Sequence, residues 1–158
     1  MRYWYLKNEY LNTLKFIKIY NTVSMIKFND IQIGDYLMGE YDGKMWEGEV
    51  TRLNGDEKQV CLRTEVQEFW FATDQLHAIP LNEEALLNLQ FTKLPNDDGS
   101  VKYSKGSFRI VTPKAGDFSS VEMWYREDKR HHPAVHFVHQ LQNQYHDMTK
   151  IYLTKDSM

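Results

Sequence analysis

Residues 31–80 read IQIGDYLMGEYDGKMWEGEVTRLNGDEKQVCLRTEVQEFWFATDQLHAIP, and this stretch predicts five short β-strands joined by tight turns. Asp42-Gly43 is a two-residue hairpin signal, because both central positions of a type I′ turn need a positive φ. Apolar and polar side chains alternate between Lys44 and Leu53, as in a half-buried strand. The predicted strands are Tyr36–Tyr41, Lys44–Leu53, Gln59–Thr64, Gln67–Phe71 and Leu76–Ile79.

Five short strands at a spacing of roughly ten residues favour a small barrel or sandwich. This spacing and the opening Ile33-Gly34-Asp35-Tyr36 resemble SH3-like and Tudor-like barrels. The resemblance implies a small SH3-like β-barrel unit over residues 25–80. Because one such fold can carry many functions, it implies no particular activity.

Composition limits the class of protein. The chain has 158 residues, 42% of them apolar and 14% aromatic, which is enough for one domain with a real core. Its net charge of -3 argues against a general nucleic-acid binder, which usually has a basic excess. The one cysteine, Cys61, excludes an intramolecular disulfide and favours a small buried residue. A cytoplasmic location fits these properties.

Residues 1–24 are an N-terminal extension of different composition. Its formal charge of +3 comes from Glu9 and the basic residues Arg2, Lys7, Lys15 and Lys18. It has no apolar run long enough for a signal peptide or a membrane span. Three interpretations stay open: a short helix on the domain, a mobile extension before a functional start at Met25, or an amphipathic segment that binds a membrane surface or a partner.

Residues 81–158 predict a short helix, β-hairpins and a longer C-terminal helix. Asn82 can cap the short helix Glu83–Leu89, because its side chain can accept a backbone N–H. Glu127–His132 is interpreted as a charged turn. The predicted strands in this part are Val101–Ser104, Ser107–Thr112 and Val121–Arg126.

The C-terminal helix is predicted over Ala134–Thr149, with Pro133 near its first turn, where a missing N–H costs little. At about 100° per residue, its apolar side chains form one stripe that should pack on the second group of strands. The stripe consists of Val138, Leu141, Tyr145 and Met148. We therefore expect an α+β fold whose two parts meet near residues 81–95 and pack as one unit.

The run Val138-His139-Gln140-Leu141-Gln142-Asn143, followed by Tyr145, resembles the C-terminal helix of a group of small uncharacterised proteins. That group is widespread in Bacteroidetes genomes and their mobile elements. The step Ile79-Pro80-Leu81 into a Glu-Glu-x-Leu-Leu helix is also similar to it. The resemblance covers roughly residues 26–150 and departs at Lys150, where the group often has a small residue or glycine. It implies a bacterial cytoplasmic or phage-borne origin and no known activity, so no functional residue is carried over.

Three histidines would share one face of the predicted C-terminal helix. His132, His136 and His139 fall within an arc of roughly 60°, opposite the apolar stripe. Imidazole nitrogens at this spacing can share a metal ion, whereas a solvated polar face is the simpler interpretation. The arc contains no carboxylate. We therefore predict no metal site, with a histidine metal site as an alternative.

Aromatic side chains of the β unit supply the first candidate surface. Its residues are Tyr36, Tyr41, Trp46, Phe69, Trp70 and Phe71. Because side chains alternate along a regular strand, Phe69-Trp70-Phe71 must turn at least one ring outward. Rings around one mouth of a Tudor-like barrel can form a cage for a methylammonium group by cation–π attraction. The alternative is that these rings form the core or an internal interface.

A second candidate surface mixes aromatic and basic residues. Trp124-Tyr125-Arg126 is followed by Lys129-Arg130-His131-His132, a composition typical of surfaces that bind single-stranded nucleic acid. Glu127 and Asp128 interrupt this run. A charged hairpin end before a helix is therefore the alternative.

The sequence has no catalytic signature, since its serines lack a nucleophile-elbow pattern and no glycine loop can cradle a phosphate. We expect a non-catalytic protein-interaction module without a cofactor, whose partner is an unidentified protein. The alternatives are a nucleic-acid-binding domain and a metal-binding protein that uses the three histidines. The candidate contact residues are Tyr41, Trp46, Trp70, Trp124 and Arg126.

Overall fold

Two antiparallel sheets, which follow each other along the chain, form the mixed α+β fold of the computed structural model. The structure describes residues 26–132 and 134–156. The predictions for the extension 1–24 and for a start at Met25 lie outside these residues. Among the helices of the described part, none is long and apolar enough to cross a membrane.

The first sheet contains five strands from the stretch that opens the sequence analysis. They are β1 (Tyr36–Tyr41), β2 (Lys44–Asn54), β3 (Gln59–Arg63), β4 (Glu68–Ala72) and β5 (Leu76–His77). Their spatial order is β4-β3-β2-β1-β5. A 3-10 helix at Thr73–Gln75 connects β4 to β5. The bounds of β1 equal the predicted ones, and the others differ from the prediction by at most two residues.

This first sheet is open rather than closed. Strands β4 and β5 lie at its two edges, and within residues 26–132 no ladder of backbone hydrogen bonds joins them. The prediction of five short antiparallel strands is confirmed, but the strands do not close into a barrel. The hairpin between β1 and β2 turns at Asp42 and Gly43, whose φ angles of 53° and 69° confirm the predicted turn geometry.

The core of the first sheet depends on a close approach at Gly39. The ring of the buried residue Phe71 lies directly on this glycine, and a Cβ added there would stand 2.5 Å from the ring. The neighbouring strand has a similar contact, because a Cβ at Gly48 would stand 2.9 Å from the Cβ of Leu62. The two glycines therefore make room for core side chains from β3 and β4.

Replacement of Gly39 by alanine should lower the free energy of unfolding by about 1–3 kcal/mol, because Phe71 would have to leave its position in a packed core. Urea unfolding at constant pH measures this change. Gly55→Ala is the matched control, since a Cβ at Gly55 meets nothing within 4 Å. Equal stability of the two variants would show that Phe71 does not pack on Gly39.

The second sheet also contains five strands, and they run in sequence order. They are β6 (Thr92–Pro95), β7 (Val101–Lys105), β8 (Phe108–Thr112), β9 (Val121–Tyr125) and β10 (Asp128–His132). Helix α1 (Glu83–Asn88) precedes the sheet, and the side chain of Asn82 accepts a hydrogen bond from the Ala85 N–H at 2.8 Å. The predicted N-cap is therefore confirmed.

Strand β10 corrects the interpretation of Glu127–His132 as a charged turn. Asp128 pairs directly with Tyr125, so the turn consists of Arg126 and Glu127 alone. Arg126 has a φ of 56°, in the left-handed region where glycine, asparagine and aspartate are the usual residues. Because neither turn position carries such a residue, Arg126-Glu127 is not a recognisable hairpin signal.

Helix α2 (Val138–Thr149) begins four residues later than predicted. The backbone before it is held extended by pairing with the segment that follows β5. Leu81 N donates to His136 O at 2.8 Å, and Val138 N donates to Ile79 O at 2.8 Å. These bonds make Pro80 and Phe137 an isolated antiparallel β-bridge. This long-range pairing overrides the local helical pattern of residues 134–137.

The two sheets have separate hydrophobic cores, and helix α2 packs on the core of the second sheet. The predicted apolar stripe of α2 is confirmed, because all four of its side chains are buried. The core of the second sheet is the larger of the two and contains residues from both helices, from the inner face of the second sheet and from β1. Its members include Tyr36, Leu86, Leu89, Tyr103, Phe108, Ile110, Met123, Leu141 and Tyr145.

The buried side-chain amide of Gln142 joins the two halves of the protein. Its Oε1 accepts a hydrogen bond from Tyr36 N at 2.8 Å. Its Nε2 donates to Gly34 O at 2.8 Å and to Leu153 O at 3.0 Å. One side chain of α2 therefore binds the start of β1 and the C-terminal segment. Lys155 N adds a hydrogen bond to Tyr36 Oη at 3.0 Å.

Candidate interaction surfaces

Tyr41, Trp46 and Phe69 form an aromatic cluster at one end of the first sheet. The ring centroids of Tyr41 and Phe69 are 6.1 Å apart, and those of Trp46 and Phe69 are 6.4 Å apart. Tyr41 is 58% exposed, and the other two rings are half-buried. Three strands, β1, β2 and β4, therefore contribute one ring each to a single exposed surface.

The aromatic cluster continues the core of the first sheet into solvent. Phe69 also contacts the buried ring of Phe71, with centroids 6.3 Å apart. Gly39 pairs with Trp46 across β1 and β2, and Tyr41 lies two residues beyond Gly39 on the same face. The rings are thus positioned by regular strand alternation and by packing on a rigid core.

No internal cation covers the aromatic cluster within the described residues. Trp70 and Trp124, by contrast, each have an arginine within 5.5 Å of the ring centroid. The unit that carries the cluster, residues 25–80, has eleven aspartate and glutamate residues and five lysine and arginine residues, a formal charge of -6. The ring faces attract cations through their quadrupoles, and the negative charge of the unit adds to this attraction, so both favour binding of an external cation.

Trp70 lies on the opposite face of the first sheet and does not join Tyr41 and Trp46. Its ring is 44% exposed and has the Arg52 guanidinium 5.2 Å from its centroid. Arg52 also forms a salt bridge of 3.0 Å with Glu68 and contacts the buried Cys61 Sγ at 3.7 Å. The prediction that one ring of this strand points outward is confirmed for Trp70, which packs on an internal partner.

Trp124 and Arg126 lie far along the chain on the second sheet. Trp124 has Arg109 and Lys129 at 5.5 Å and 5.0 Å from its ring centroid. Arg126 projects from the turn after β9 and stacks on Tyr125 at 5.2 Å. The five candidate residues thus do not form a single surface. The sequence analysis did not single out Arg109, which pairs with Trp124 across β8 and β9. The alternation of side chains in the predicted strand Ser107–Thr112 is the signal that could have placed Arg109 on the same face as Trp124.

The structure corrects the predicted histidine face. His132 belongs to β10 and His136 precedes α2, so neither lies on the helix; the side chain of His132 is outside the described part of the chain. His139 is buried, and burial lowers its pKa to about 4. The expected arc is therefore not formed. Among the side chains that the structure describes, no cluster of three histidine, cysteine, aspartate or glutamate residues could hold a metal ion.

A cavity of about 230 Å³ lies where the first sheet, α1 and the start of α2 meet. Its charged lining residues are Glu47, Glu84 and Lys155, and an ion pair joins Lys155 to Glu47. The described lining contains no serine, cysteine or histidine.

Comparison of the chain with protein-family models, with curated proteins and with solved structures finds no significant match. The surfaces themselves are therefore the basis for a functional proposal. Among these, the aromatic cluster combines solvent exposure, rigid support and the lack of a cation partner in the described residues.

Proposed function

We propose that the protein is a non-catalytic protein-interaction module, and that its aromatic cluster binds a cationic segment of a partner protein. The observation that carries this proposal is the aromatic cluster of Tyr41, Trp46 and Phe69, in which no described lysine or arginine lies over a ring, in contrast to Trp70 and Trp124. An arginine or lysine side chain of the partner would supply the missing cation.

The topology of the first sheet supports a finer version of this proposal, in which residues 25–80 are an SH3-like unit. The strand order β4-β3-β2-β1-β5 and the 3-10 helix Thr73–Gln75 between its last two strands are both compatible with such a unit. The free, buried Cys61 fits a reducing, cytoplasmic compartment. The resemblance of the C-terminal helix favours a bacterial or mobile-element origin.

Charge supports a cationic partner over an anionic one at this surface. The formal charge of -6 on residues 25–80 attracts a basic segment and repels a phosphate backbone. Tyr41 and Trp46 each have about two rotatable side-chain bonds and therefore lose little conformational entropy on binding. Such rings often dominate the binding energy of interfaces.

A pair of peptides that differ only in charge tests the proposal. One carries three arginines in a flexible segment, and the other has citrulline, the neutral isostere, in their place. We expect calorimetric titration of the full chain to show saturable binding of the arginine peptide and at least tenfold weaker binding of the citrulline peptide. Equal affinity for both, or no binding at millimolar concentration, would overturn the proposed function.

Tyr41→Ala should weaken binding of the arginine peptide by about 5–30-fold, since a cation–π contact at a partly desolvated site contributes about 1–2 kcal/mol. The exposure of Tyr41 means that this variant should keep its fold. Trp70→Ala removes another exposed ring of the same sheet and is the matched control, for which we expect no change in affinity. The same loss in both variants would place the binding site elsewhere.

A further inference from the structure

The second sheet has one face covered by helices and one face whose described side chains are half-buried or exposed. Tyr103, Ile110 and Met123 are fully buried on the inner face. Because side chains alternate along a strand, the residues that flank them project from the other face. These include Lys102, Ser104, Arg109, Glu122, Trp124 and Lys129. We call this surface the Trp124 face.

One row of side chains crosses four strands of the Trp124 face. The register places Ser104 beside Arg109, Arg109 beside Trp124, and Trp124 beside Lys129. The guanidinium of Arg109 and the ammonium of Lys129 lie 5.5 Å and 5.0 Å from the Trp124 ring centroid. Since Arg109 and Lys129 are two strands apart, their backbones are separated by about 10 Å.

The Trp124 face is positively charged in a chain whose net charge is negative. The residues named above as part of this face include three cations, Lys102, Arg109 and Lys129, and one carboxylate, Glu122. Glu122 forms a salt bridge of 3.3 Å with Lys129, whose side chain remains 46% exposed. The negative charge of the chain is concentrated in residues 25–80, so it does not cancel the potential of this face.

We propose that the Trp124 face binds single-stranded nucleic acid. Arg109, Lys129 and Lys102 neutralise phosphates, and the ring of Trp124 supplies a stacking surface for a base when the two flanking cations turn to the backbone. An open sheet that presents an aromatic ring within a row of cations suits an extended polynucleotide, whose bases and phosphates alternate. This binding site is independent of the aromatic cluster on the first sheet.

Fluorescence anisotropy of a labelled oligothymidylate with the full chain tests this proposal. With about three neutralised phosphates, the slope of log K against log salt should be about -2, so a rise from about 50 mM to about 200 mM salt should weaken binding by about 15–20-fold. Binding that does not change with salt would overturn the proposal.

The double variant Arg109→Gln/Lys129→Gln should bind at least tenfold more weakly and reduce the slope to about -0.7, because one cation of the three remains. Arg52→Gln is the matched control, since Arg52 lies over Trp70 on the first sheet in the same kind of contact. We expect its affinity and its slope to equal those of the unchanged chain. Equal losses in the double variant and the control would overturn the proposal.

A polyglutamate peptide of similar charge distinguishes a nucleic acid from an acidic protein as the occupant. Polyglutamate has no bases to stack on Trp124, so we expect at least tenfold weaker binding than for the oligonucleotide. Equal binding of the two polymers would assign the face to an acidic protein and overturn the nucleic-acid proposal. Trp124→Leu should weaken binding of the oligonucleotide and leave binding of polyglutamate unchanged.

Discussion

Replacement of Gln142 by leucine should lower the free energy of unfolding by about 3–5 kcal/mol. The Gln142 side chain is buried and forms three hydrogen bonds, to Tyr36 N, Gly34 O and Leu153 O. A leucine would fill a similar volume but would leave one N–H and two carbonyl groups without this partner. Each buried polar group that loses its partner costs about 1–3 kcal/mol.

Two control variants separate the hydrogen bonds of Gln142 from its packing. Gln142→Glu keeps the size and one acceptor but replaces the donating NH2 by an oxygen that faces two carbonyls, so it should also be strongly destabilising. Thr73→Ala removes an exposed bond of 2.8 Å to Lys58 O and should cost about 1 kcal/mol or less. Urea unfolding measures all three. A Gln142→Leu variant as stable as Thr73→Ala would show that the amide does not join the two halves.

The unfolding free energy of the unchanged protein should vary little between pH 4.5 and 6.5, because two buried groups have opposite effects. Burial raises the pKa of Asp35 from 3.8 to about 7, so the folded state keeps a proton that the unfolded state releases. Stability from this group is complete below pH 4 and is lost as the pH rises through about 7. Burial lowers the pKa of His139 from 6.5 to about 4, so its contribution is complete above pH 6.5 and is lost as the pH falls towards 4.

Removing either group should expose the pH dependence of the other. Asp35→Asn leaves His139, so stability should rise from pH 4 to 6.5 with a slope of at most about 1.4 kcal/mol per pH unit. His139→Gln leaves Asp35, so stability should fall from pH 4 to 7 with a similar limiting slope. Urea unfolding across this range measures both slopes. Slopes of the same sign in the two variants would contradict this assignment of buried groups.

Local patterns predict the strands of the first sheet well. Period-two alternation and the Asp42-Gly43 turn give the bounds of β1 and the start of β2, since both signals are properties of adjacent residues. The helical pattern places the start of α2 four residues too early. Pairing with residues 79–81 holds residues 136–138 extended, and these two segments are more than fifty positions apart in the chain. No local pattern contains that contact.

The candidate surfaces show the same limit. Alternation within one strand predicts that Trp70 and Phe69 face opposite ways, but it does not indicate that Phe69 meets Tyr41 and Trp46 from two other strands. The role of Gln142 was missed as well. Gln142 lies one helical turn after Val138, at the edge of the apolar stripe, and a polar residue at such a position is the signal that could have revealed it.

The most direct test of the proposed function is a titration of the full chain with the arginine peptide, followed through the indole N–H signals in two-dimensional NMR spectra. The chain has four tryptophans, Trp4, Trp46, Trp70 and Trp124, so each candidate surface has its own signal. Conservative replacements to phenylalanine assign the four signals. We predict a saturable shift of the Trp46 signal with the arginine peptide, no shift with the citrulline peptide, and unchanged signals from Trp70 and Trp124. A shift at Trp70 or Trp124 without a shift at Trp46 would contradict the proposal that the aromatic cluster is the protein-binding surface.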